Sequence, residues 1–108
     1  MKASNIFKID KVKSINHEVF ETLIASEGIV IERIISAGQV TPDDESYDQD
    51  YDEWVMLLQG TATISFEKNR KINLKVGDYL FIPAHQKHRV DYTSSMPACI
   101  WLAVHIKK

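Results

Sequence analysis

One cysteine, no long apolar run and no excess of basic charge set the first limits on this chain of 108 residues. A lone thiol, Cys99, has no partner for an internal disulfide, which suits a reducing cytoplasm. No stretch approaches the roughly 18 apolar residues of a membrane-spanning helix. The opening Met1-Lys2-Ala3-Ser4-Asn5 leads into no apolar stretch of signal-peptide length. There is no internal repeat, low-complexity tract or linker, so a single domain over residues 1–108 with one modest core is expected.

What charge there is lies unevenly. The net charge is −2, yet seven of the 15 acids fall within residues 43 to 53, leaving 13 basic residues against 8 acids elsewhere. Such a cluster repels phosphate backbones and attracts cations, which excludes nucleic acid as a natural partner. Most of these acids read as a solvated loop.

Strand signals dominate the rest. Ile29 to Ile35 is rich in β-branched residues, and Val55 to Leu58 ends at the turn Gln59-Gly60. Thr61 to Phe66 and Lys71 to Val76 alternate polar and apolar residues across the polar turn Glu67 to Arg70. Tyr79 to Ile82 stops at Pro83, Arg89 to Thr93 follows, and Ala98 to Ile106 is a long apolar closing strand. Short strands with turns about every ten residues predict an all-β sandwich or barrel over residues 28–106. Residues 1–27 form an N-terminal arm. Within it, Ile15 to Ser26 reads equally as helix or strand, since Val19, Phe20, Leu23 and Ile24 have helical spacing.

Two stretches carry the chemistry. If residues 47 to 53 are extended, Tyr47, Gln49, Tyr51 and Glu53 share one face and Asp48, Asp50 and Asp52 the other. A carboxylate at Glu53, beside Trp54 and an apolar run, needs a partner if buried: a metal ion, an Arg or a His. His88 opens a strand just past the turn Pro83 to Lys87, and His85 in that turn is expected to be exposed. His105 shares a strand face with Cys99, Trp101 and Ala103; a terminal surface histidine is the expectation, and an inward one would complete a site. Tyr47, Tyr51, Trp54, Tyr79, Phe81, Tyr92 and Trp101 could line a pocket or simply build the core of a small barrel.

These stretches resemble the two motifs of the cupin superfamily. The usual first motif has a Gly, a His-any-His pair, a Glu and a closing Gly; Glu53 and Gly60 match, while the two histidine positions fall on Tyr47 and Gln49. Gly77, Pro83 and His88 match the second motif, with His85 standing at its inner Gly and Tyr92 at its final Asn. The resemblance implies a double-stranded β-helix (jelly-roll) barrel, commonly paired as a homodimer through sheet edges. It also implies a metal site, which here would keep Gln49, Glu53 and His88, with Tyr47 as a fourth donor or as a catalytic acid or base. An amide oxygen, a carboxylate and one imidazole make a hard, weak set suited to Zn, Ni, Fe(II) or Mn. The implied function is binding a small organic molecule, with oxygenase, isomerase or cyclase chemistry through a divalent transition metal. The alternatives are a metal-free sensor or carrier barrel and an interaction module with a vestigial site.

Overall fold

The computed structural model describes residues 1–9 and 16–108. Eight strands follow in chain order: β1 (Val19–Ser26), β2 (Ile29–Ser36), β3 (Asp52–Gln59), β4 (Ala62–Phe66), β5 (Arg70–Leu74), β6 (Tyr79–Ile82), β7 (His88–Thr93) and β8 (Cys99–Ile106). They form two antiparallel sheets, one ordered β1-β2-β8-β3-β6 and the other β5-β4-β7. This is the expected all-β jelly roll. The polar turn between β4 and β5 tightens into a 3-10 turn, Glu67–Asn69.

Alternation decides what faces inward. Between the sheets lies a core that includes Val55 and Leu57 of β3, Ala62 and Ile64 of β4, Ile82 of β6, and Cys99, Trp101 and Ala103 of β8. Burying an aliphatic side chain of this kind contributes about 2 kcal/mol. Gly60 closes the β3–β4 turn at φ +89°, where a Cβ would lie 2.6 Å from Ser94 Oγ and 2.9 Å from Cys99 Sγ. Only glycine gives both the left-handed turn and the close approach.

The ambiguous segment resolves as a strand. β1 pairs with β2 at the edge of the larger sheet, with a bulge between Thr22 and Ile24; Ile15 lies outside the described residues. The start of the chain crosses the outer face of this sheet. There the buried Arg33 of β2 donates to the carbonyl oxygens of Ile6 (2.9 Å) and Lys8 (2.6 Å) and pairs with Glu21 of β1. Farther along the same outer face, Tyr79 and Phe81 are exposed and Trp54 packs against Tyr79, ring centroids 5.5 Å apart.

Candidate functional site

A cavity of about 250 Å³ opens between the sheets. Two loops shape its mouth. Arg89 donates to the carbonyl oxygens of Thr41, Pro42, Asp43 and Glu45, pinning the start of the acidic stretch. Next, Tyr47 and His88 exchange backbone hydrogen bonds, and His85 N–H donates to Gln49 O at 2.7 Å. Residues 47 to 49 are therefore zipped onto residues 85 to 88, and the alternation expected from sequence holds. Tyr47, Gln49, Tyr51 and Glu53 line the cavity. Asp48 turns outward to His85 Nδ1 (3.0 Å), and Asp52 accepts from Ala84 N–H (2.9 Å). That last bond, with Lys108, holds the Asp52 carboxyl below its ordinary range.

His85 is exposed and sits at φ +65°. It occupies the position where the second motif ordinarily has glycine, and the backbone there still turns left-handed.

His88 also lines the cavity and is buried. Its Nδ1 lies 2.9 Å from Gln86 O. A carbonyl can only accept, so Nδ1 carries the proton and Nε2 keeps the lone pair. The ring stacks on Tyr47, centroids 5.3 Å apart. Burial holds His88 below the usual histidine pKa and raises the Tyr47 phenol, so both are neutral at pH 7.

The four sequence-predicted residues, Tyr47, Gln49, Glu53 and His88, thus share one cavity. Two others, Glu32 and His105, also line it and lie close together. His105 is not a surface residue. It is the cross-strand neighbour of Glu53, and both are buried. His105 Nε2 lies 3.3 Å from Glu32 Oε1 and 3.7 Å from Glu53 Oε2. Neither contact is aligned as a hydrogen bond, which leaves Nε2 a buried nitrogen without a partner. Its ring stacks on Tyr51, centroids 4.8 Å apart. Burial lowers the His105 pKa, opposed by the charge of Glu32. Glu53 moves the other way: burial first, then the neighbouring Glu32, pushes it up to about 7. Glu18 also reaches the cavity, accepting from Ser36 Oγ at 2.5 Å, and is raised by burial.

The motif's metal fits these positions poorly. Among the described residues, no three His, Cys, Asp or Glu side chains converge into a group that could hold an ion. Glu53 lies by His105, and Gln49 Nε2 donates to Tyr51 Oη at 3.0 Å.

A family model described as a cupin domain matches residues 33–105, most of the chain. The chain belongs to the cupin family. A crystal structure from Ralstonia eutropha JMP134, described as a candidate mannose-6-phosphate isomerase, is 38% identical over 100% of both chains, with a TM-score of 0.88. A cupin superfamily protein from Desulfitobacterium hafniense DCB-2 is 24% identical over 86% of this chain and 80% of that one, TM-score 0.73. An RmlC-like cupin with a double-stranded β-helix fold, from Methanocaldococcus jannaschii, is 19% identical over 94% and 86%, TM-score 0.71. Both of the latter are similar in fold. No curated protein matches in sequence.

Proposed function

We propose that this cupin barrel binds a small organic molecule between its sheets and moves a proton on it, chemistry of the isomerase class. Glu53 carries the proposal. It is 7% exposed, its pKa stands at about 7, and it faces an unpartnered His105 nitrogen inside an aromatic-lined cavity. A carboxyl matched to neutral pH can take a proton and return it within one cycle. In the proposed step the ionised Glu53 removes the proton from the hydroxyl-bearing carbon beside a carbonyl. The C–H electron pair forms the carbon–carbon double bond and the carbonyl π pair moves onto its oxygen, giving an enediolate. Glu53 then returns the proton to the former carbonyl carbon, while the hydroxyl proton passes by way of His88 Nε2 to the other oxygen and the new carbonyl forms at the first carbon. Tyr47, which keeps its proton, donates a hydrogen bond to the ligand oxygen, and His88 Nε2 accepts one. The Ralstonia neighbour's description supports the isomerase class.

No step runs through a metal, and Gln49, Glu53 and His88 remain the residues to test for one. The buried thiol Cys99 fits a cytoplasmic protein, and the apolar outer face fits a homodimer; no helix among the described residues is long and apolar enough to cross a membrane.

The test is proton exchange. Small α-hydroxy carbonyl and amino compounds are incubated with the protein in D₂O and followed by ¹H NMR, with EDTA and, in parallel, with Zn, Ni, Fe(II) or Mn. Loss of a substrate C–H signal that falls by about 100-fold or more in Glu53→Gln supports the step. Binding without exchange under every condition would leave a sensor or carrier.

A further inference from the structure

The charge of the cavity wall is one-sided. Three carboxylates, Glu18, Glu32 and Glu53, line it, and among the described residues no Lys or Arg does. Each described cation near it is engaged with another group. Arg33 lies on the outer face of the sheet under the start of the chain, and Arg89 is spent on the loop carbonyls. Lys107 Nζ stands 5.2 Å over the Tyr51 ring, and Lys108 pairs with Asp52. The basic groups described in the wall are the buried His88 and His105.

Glu53 and His105 add an independent observation. Both are more than nine-tenths buried and both face the cavity. Among the described residues Glu53 makes no hydrogen bond, and His105 Nε2 makes none either, although Glu32 Oε1 stands 3.3 Å from it. Buried polar groups of this kind are ordinarily satisfied. Aromatic rings share the wall with them, Tyr47, Tyr51 and Trp101, and the π-electrons of such rings attract cations; Tyr51 already stands under Lys107 Nζ.

Resting on the binding-barrel proposal above, we infer that the cavity takes a small organic cation, an amine or quaternary ammonium group seated against Glu32 and Glu53, and rejects phosphorylated ligands. A phosphate brought beside three carboxylates with no described Lys or Arg in the wall would be both repelled and unsatisfied. On this inference the likeness to a protein described as a candidate mannose-6-phosphate isomerase extends to the fold but not to the phosphate.

The experiment is a titration of ¹⁵N-labelled full-length protein with three probes: choline, mannose 6-phosphate and mannose. The inference expects choline to shift the Trp101 indole and cavity amides saturably, with mannose 6-phosphate leaving them unmoved. Glu32→Gln, a neutral near-isostere checked for folding by its own spectrum, weakens choline binding about tenfold or more. Asp50→Asn, in the exposed acidic loop, leaves it unchanged. Cavity shifts with mannose 6-phosphate, or with mannose alone, would overturn the cation assignment while keeping a binding barrel. Loss of choline binding in Asp50→Asn with none in Glu32→Gln would place the cation on the surface loop and overturn the assignment too. No cavity shift with any probe would overturn both the assignment and the barrel proposal.

Discussion

Glu53 and His105 are direct cross-strand partners, β3 to β8, both buried and both facing the cavity, yet no hydrogen bond joins them across 3.7 Å. An acid raised by burial to about 7 and a base lowered by burial stand side by side.

This pair predicts an unusual dependence of stability on pH. Glu53 binds its proton more tightly folded than unfolded, so its contribution is complete below the unfolded value of 4.5 and lost as pH rises through about 7. Full loss amounts to about 3 kcal/mol. His88 and His105 are lowered, so their contribution is lost in the opposite direction, as pH falls below the usual histidine range. The difference between wild type and Glu53→Gln isolates the carboxyl. In urea denaturation at pH 5, 6, 7 and 8, the variant is expected to gain on the wild type steadily with pH.

His105→Phe is expected to raise stability by about 1 kcal/mol, because it removes an unsatisfied buried nitrogen and keeps an aromatic ring on Tyr51. Choline binding and proton exchange should both fall. Lower stability together with unchanged exchange would assign His105 to packing alone.

The glycine that ends the first motif is structural. Gly60→Ala forces a Cβ against Ser94 and Cys99 at a left-handed turn and is expected to cost at least about 3 kcal/mol. Gly77→Ala has a similar φ, +92°, and open space, and is expected to cost about 1 kcal/mol. Thermal unfolding of the two variants separates steric conflict from backbone strain.

Self-association through the outer face is tested by Phe81→Glu, which puts a charge where an exposed aromatic stands. Sedimentation velocity should show a dimer for the wild type and a monomer for the variant. An unchanged dimer would move the interface away from this face.

Much of this was readable from sequence because alternation is local. The phase of Tyr47, Gln49, Tyr51 and Glu53 placed all four in the cavity wall, and Gly77, Pro83 and His88 marked the opposing turn. His105 carried the same signal, in phase with Trp101 and Ala103, but its place three residues from the end favoured a surface role. Glu32 gave less warning. One acid in an apolar strand looks outward until the neighbouring strands are placed, and register against β8 is a long-range property. β1 was ambiguous for a physical reason: the bulge at Leu23 breaks the two-residue alternation, so Phe20 lines the cavity while Ile24 pairs with Ile31, which does not.

The two ends of the chain lie on different sides of the larger sheet. Ile6 and Lys8 are tied to Arg33 on its outer face, whereas Lys107 and Lys108 reach Tyr51 and Asp52 at the rim of the cavity. A purification handle of histidines placed after Lys108 would begin beside Tyr51 and Asp52, where its imidazoles would compete for any ion the cavity binds. The same handle before Met1 would lie across the sheet from the cavity, so metal titrations of the two fusions would report on different chemistry.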